Sequence, residues 1–264
     1  MRYWQIIGTL GLVGTLLLSG CSDVPMTGRN RVIMMDESQL ASISATQYTS
    51  MLKQAKVSTD PTGTAMLARI ATRLVAATES LAQEYGFAND LSVYKWEFTL
   101  IDEPKTVNAF CMPGGKVVVY TGIMPIAENE EGLAVILSHE VAHAIAKHGN
   151  ERMSQKSLVN AGGILLTEFT KTSPAETQQL FGSVYGIGTT LGVLLPYSRD
   201  HESEADHIGL ILMQKSGYDP RAAIGFWERM SANSGGKAPP EFMSTHPSDE
   251  TRIAKIKAAI EKGF

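Results

Sequence analysis

Cysteine is nearly absent from this chain, histidine is scarce, and basic charge is not in surplus. The 264 residues include two cysteines and six histidines, and 23 basic residues face 27 acidic ones for a net charge of −4. Two cysteines exclude a disulfide-stapled scaffold and a cysteine-rich zinc module. The acidic balance argues against a nucleic-acid partner, which would call for a basic face. Internal repeats and low-complexity tracts are also missing. What is present is an ordinary globular composition, 44% hydrophobic and 19% charged, long enough for one sizeable core.

The N-terminus is read as a targeting segment. Arg2 precedes an uncharged apolar run from Trp4 to Leu18, shorter than the roughly 20 residues that a membrane span needs. Leu18-Ser19-Gly20-Cys21 resembles the lipobox of bacterial lipoproteins. That resemblance implies a signal peptide over 1–20, a lipid on Cys21 and a membrane anchor of several acyl chains. Ser22 in place of aspartate then implies the outer membrane of a bacterial envelope, facing the periplasm. Residues 21–36, polar and carrying Pro25 and Gly28, are expected to be the tether. With Cys21 lipidated, Cys111 is the one remaining thiol.

Because histidine is so sparse, His139-Glu140-Val141-Ala142-His143 stands out. Histidines four apart on a helix share a face and can hold one zinc ion. Glu140 then lies beside the open coordination position, where a carboxylate can take a proton from water. Asn129 reads as the N-cap of this helix, Glu130 and Glu131 suit its positive end, and Gly149 reads as its C-cap. The apolar residues Leu133, Ile136, Leu137, Val141 and Ile145 bury most of its circumference.

A catalytic zinc takes three protein ligands and leaves one position open. A histidine six residues after His143 would mark one solution, but Gly149 is there, and His148 on a continuing helix would point away. Glu202 and Asp206 share a helix face, so Glu202 can bind the metal while Asp206 holds a ligand histidine. Glu204 is rotated away from that face, and His201 is a rival third ligand.

These motifs, with Asn108-Ala109-Phe110, Pro113-Gly114-Gly115 and His246-Pro247-Ser248, resemble the gluzincin peptidases related to the CAAX prenyl endopeptidase and HtpX. The resemblance extends to periplasmic members of that group, such as BepA and LoiP. The resemblance spans about residues 60 to 255. It implies a mainly helical α+β, zincin-like fold with a small sheet beside the HExxH helix, a metallopeptidase domain over 37–264, and one Zn2+ per chain. It also implies a sheet edge near Asn108 and Ala109 that pairs with substrate backbone, and a His246 close to the metal. There His246 would either stabilise the oxyanion or occupy the fourth position and close the site. The expected substrates are misfolded or unassembled envelope polypeptides. The competing reading is a chaperone or binding lipoprotein with a structural or closed zinc site.

Elsewhere, helical spacing predicts helices over 35–56 and 61–85, and another from about His201. The two-residue alternation from Tyr94 to Leu100 predicts a strand, and Lys116 to Tyr120 a second. Residues 159–196, apolar and glycine-rich, suit a helix packed in the fold or lying on a lipid surface. Residues 231–245 read as a loop, with a last helix from about Pro247.

Overall fold

The computed structural model describes residues 21–264 apart from Thr172, Pro174, 190–194, 234–240 and 247–250. The expected leader and the Pro247-Ser248 dipeptide therefore lie outside the described residues. Helix α1 (Glu37–Leu52) begins where Asp36 accepts the Gln39 amide. Helix α2 (Pro61–Glu84) begins where Asp60 accepts the amides of Thr62 and Gly63. Pro61 at its first position has the right fixed φ and no amide to leave unpaired.

Three strands form the sheet, β3 (Glu97–Ile101), β4 (Ala109–Met112) and β5 (Lys116–Tyr120), in the order β3-β5-β4. β3 runs parallel to β5 and β4 antiparallel to it, with Phe110 opposite Val118. Val117 and Val119 enter the main core, while Val118 on the other face packs with Tyr48 and Ile101. Burial on both faces explains why β5 reads as an unbroken valine run.

The strand predicted from Tyr94 starts three residues later. Tyr94 and Trp96 are stacked at 5.0 Å, and although the Lys95 and Glu97 amides reach the Gly114 and Gly115 carbonyls, the paired register with β5 begins at Glu97 opposite Lys116. Alternation reports which face a side chain takes, and an extended approach to a strand shows it equally. Gly115 has φ +83°, and a Cβ there would come within 2.7 Å of the Trp96 ring.

Helix α3 (Met124–Ala127) leads into α4 (Glu130–Ile145), which carries the HExxH residues. Asn129 caps α4 by accepting the Gly132 amide, and every residue from Gly132 to Ile145 is buried. It packs against α2, α7 (Leu195–Lys215) and α8 (Ala222–Asn233) around Leu133, Ile136, Leu137, Ile208 and Phe226.

The expected end of α4 at Gly149 is wrong. The helix stops at Ile145, Lys147 takes a left-handed φ of +55°, and Gly149 lies inside α5 (His148–Thr170). The C-terminal carbonyls are satisfied from elsewhere: Tyr94 Oη donates to Ala144 O and Arg31 Nη1 to Ala146 O, at 2.6 and 2.8 Å. A cation at this end also suits the helix dipole. Arg31 belongs to a hairpin of β1 (Cys21–Asp23) and β2 (Asn30–Val32), and Val24 beside it is buried in the core. Residues 21–36, expected as a tether, are therefore built into the domain.

α5 pairs with α6 (Ala175–Thr189), leaving Ile164, Leu165, Phe169, Leu180 and Val184 exposed. Among the described residues, no helix is long and apolar enough to cross a membrane. A short helix α9 (Glu241–Thr245) lies within the predicted loop, and α10 (Arg252–Lys262) is the last helix. The arrangement is the mainly helical α+β fold that was expected.

Gly132 is wedged against the turn before α4, where a Cβ would sit 2.0 Å from the Ala127 carbonyl oxygen. Backbone cannot yield as a side chain would. Gly132→Ala should therefore destabilise the protein by about 1–3 kcal/mol or more. An unchanged thermal midpoint would mean that this wedge does not exist in solution.

Candidate active site

Helix α4 presents His139 and His143 on one face, and α7 brings Glu202 to meet them. The two Nε2 atoms are 3.0 Å apart. Glu202 Oε2 lies 3.2 Å from His139 Nε2, and its Oε1 lies 3.3 Å from His143 Nε2. His246, just after α9, completes the group, with Nδ1 3.3 Å from His139 Nε2 and 3.1 Å from Glu202 Oε2. The four donor atoms lie within 4.8 Å of one another, and all four residues are buried.

Glu140 occupies the position next to this group. Its Oε2 accepts the Cys111 amide of β4 at 3.1 Å, while Oε1 faces His246 Nε2 at 3.3 Å. Burial pushes the Glu140 carboxyl above its ordinary range, which suits a group that takes up and releases a proton.

The surroundings orient these side chains. Asp206 Oδ1 accepts from His139 Nδ1 at 3.0 Å, which selects the tautomer whose Nε2 is free to ligate a metal once the ring is neutral. Arg252 holds Asp206 through two hydrogen bonds of 2.7 and 2.8 Å and lies 3.4 Å over the Trp227 ring. Burial opposes charge on His139, yet the carboxylates of Asp206 and Glu202 raise it to about 9. Burial also works against an ionised Glu202, but the three surrounding histidines keep it well below its usual range. Burial depresses His143, which favours the neutral ring that coordination needs.

The donor set fits a zinc ion. Two facing imidazole nitrogens backed by two carboxylates form a negative pocket suited to a cation, and mixed nitrogen and oxygen ligands suit Zn2+. His139, His143 and Glu202 would hold it, with His246 at the fourth position.

The other predicted residues fall as follows. Ala109 opens the edge strand β4 and Asn108 immediately precedes it; both are buried, and the Asn108 side chain accepts the Ala109 amide at 2.9 Å. Cys21 begins the β1–β2 hairpin, opposite Val32. His201 is no ligand here; its Nε2 meets Glu151 Oε2 at 3.0 Å.

His148 corrects its expected direction. The left-handed Lys147 turns the chain so that His148 Nδ1 lies 2.7 Å from His143 Nδ1. Burial lowers its pKa to about 4, so the ring is neutral at physiological pH. Arg252, His148 and the carboxylates behind His148 were not foreseen. Only their long-range partners reveal them, and the helical rotation predicted for His148 pointed the wrong way.

A family model described as Peptidase family M48 matches residues 68–260, which include all four clustered residues. The chain belongs to that family. Peptidases of the family use zinc, in keeping with the donors assembled here. The chain is 44% identical over 169 residues to mitochondrial metalloendopeptidase OMA1 of Schizosaccharomyces pombe, covering 63% of this chain and 47% of that one. The Saccharomyces cerevisiae protein of the same name is 30% identical over 262 residues, covering 94% and 73%. The beta-barrel assembly-enhancing protease of Escherichia coli is 26% identical over 256 residues, covering 94% and 49%. The chain spans about half the length of most of these relatives.

The mitochondrial relatives overturn the expected location in a bacterial outer membrane facing the periplasm. That expectation rested on the lipobox-like Leu18 to Cys21 and on Ser22 after it, a local signal that does not by itself name the membrane.

Behind the family's site, Arg29 spans Glu204 and Glu151 at 2.8 and 2.7 Å. Burial would raise both carboxyls. Hydrogen bonds from His148 and Arg29 instead bring Glu204 from 4.5 to about 2, and those from Arg29 and His201 do the same for Glu151. The stabilisation is complete above 4.5 and is lost as pH falls toward 2. Arg29→Met should move the midpoint of acid unfolding, followed by circular dichroism, to higher pH. An unmoved midpoint would remove Arg29 from this role.

Proposed function

We propose that the protein is a zinc-dependent endopeptidase that cleaves extended segments of misfolded or unassembled polypeptides. The observation that carries this reading is the placement of Glu140. A purely structural zinc site has no use for a buried carboxylate with one oxygen tied to an edge strand and the other facing the metal ligands.

Zinc held by His139, His143 and Glu202 would supply Lewis acidity to the scissile carbonyl and to water. Glu140 takes the proton from the attacking water and returns it to the leaving amine. Asp206, held by Arg252, keeps His139 in the tautomer that ligation requires. Strand β4 lies at the edge of the sheet beside Glu140, so substrate backbone pairing there would carry the scissile bond past that carboxylate. Main-chain pairing explains breadth, because it reads no side chains. Asn108 and Ala109 belong to this edge, where a substrate carbonyl would replace the Asn108 side chain on the Ala109 amide.

The structure also carries an observation in favour of a closed state. His246 Nδ1 lies 3.3 and 3.1 Å from the two Glu202 oxygens, where a fourth ligand would sit, and the Phe242 amide of α9 donates to the Val107 carbonyl at 3.0 Å, beside the start of β4. One displacement of α9 would release both the metal's fourth position and the strand edge. We also propose membrane attachment through a lipid on Cys21, supported by the Leu18 to Cys21 sequence. Mass spectrometry of the mature N-terminus tests it, and an unmodified cysteine would end it.

Glu140→Gln should bind zinc in full yet lose at least two orders of magnitude in cleavage of unfolded casein. Casein digestion at the unsubstituted rate would refute the endopeptidase mechanism. A closing role for His246 predicts that His246→Ala cleaves a short peptide faster than the unsubstituted protein. A drop of about 100-fold or more would assign His246 to oxyanion stabilisation instead.

A further inference from the structure

The two metal-facing histidines are supported differently. His139 has a carboxylate directly on Nδ1, whereas Nδ1 of His143 meets another imidazole nitrogen. A hydrogen bond between two such nitrogens needs one protonated and one bare, so something must decide which.

The far side of His148 decides it. His148 Nε2 lies 3.0 Å from Glu204 Oε2. Glu204 is surrounded by donors, with Arg29 Nε donating to Oε2 at 2.8 Å and the Thr27 hydroxyl donating to its other oxygen, so the carboxylate accepts from His148 as well. His148 therefore carries its proton on Nε2 and leaves Nδ1 bare. His143 must then donate from Nδ1, which leaves its own Nε2 lone pair directed at Glu202 and the metal position.

The ring of His148 has little freedom to do otherwise. It is fully buried and lies flat on His201, with centroids 4.3 Å apart and planes 13° from parallel. His201 is held by Glu151, and Arg29 grips Glu151 with two nitrogens at 2.7 and 2.9 Å. Arg29 and Thr27 lie in the turn of the N-terminal hairpin, well before the part of the chain that matches the family model.

We infer that His148 is a positioning residue that fixes the tautomer and direction of His143, with Glu204 as its anchor, so that the N-terminal hairpin takes part in building the metal site. This rests on reading His139, His143 and Glu202 as the metal ligands.

The test is Zn2+ affinity of the full chain, measured by competition with a chromophoric chelator, for the unsubstituted protein, His148→Leu and His148→Asn. Leucine removes the acceptor and should weaken Zn2+ binding about 10–100-fold. Asparagine can place Oδ1 where Nδ1 stood and should restore most of the affinity. Cobalt(II) in place of zinc should show an altered visible spectrum in the leucine variant and a near-normal one in the asparagine variant. Unweakened binding by the leucine variant would overturn the inference, as would equal losses in both variants.

Should the leucine variant not fold, ring-nitrogen NMR of the zinc-loaded, unsubstituted protein settles the matter. His148 should be protonated on Nε2 alone, and a proton on its Nδ1 would overturn the proposal. If the unsubstituted chain failed to bind Zn2+, the ligand assignment would fall and this inference with it. Normal binding by that chain and the leucine variant alike removes only the role of His148.

Discussion

Two imidazole nitrogens facing each other at 3.0 Å inside a buried, carboxylate-rich pocket are the constraint around which this molecule is organised. Such a pair is unfavourable unless a cation or a shared proton lies between, because burial removes the water that would otherwise screen it. Each nearby feature adjusts that one problem. Asp206 and Arg252 support one ring, His148 and Glu204 the other, and Glu202 contributes the negative charge that a divalent ion answers. The apolar side of α4 anchors the histidines in the main core, so their spacing depends on helix packing as much as on the metal.

Much of this was legible in the chain. The four-residue spacing of His139 and His143, and of Glu202 and Asp206, needs only helical geometry to place each pair on a face. Asn129 as a cap, Pro61 as a helix start and the valine run of β5 follow from local chemistry. Local chemistry failed where a distant residue supplies what a nearby one could have supplied. Gly149 would have been a suitable helix terminator, but Arg31 and Tyr94 cap the carbonyls of α4 from far away in sequence. That early stop swings His148 behind His143. The strand β4 has no alternating pattern because its residues are set by the helix beneath and the edge they form.

The hairpin at the start of the described chain illustrates the same limit. Its polar composition, with proline and glycine, reads as a linker, and its side chains individually look like solvent-facing groups. Arg29 and Arg31 are nonetheless the cations that neutralise the buried Glu151 and Glu204 and the negative end of α4. Composition does not distinguish a charged residue meant for water from one that answers a buried opposite charge, because the answer lies in the partner.

The short helix α9 donates the Phe242 amide to the Val107 carbonyl at the sheet margin, buries the Phe242 ring in the core, and carries His246 into the pocket. All four clustered residues are buried in this state, so a displacement of α9 that admitted a peptide would also open the ion to solvent. A protein occupied with clients would then surrender its metal to scavengers faster than an idle one. Idleness itself would protect the cofactor, and metal retention would report how often the enzyme is in use.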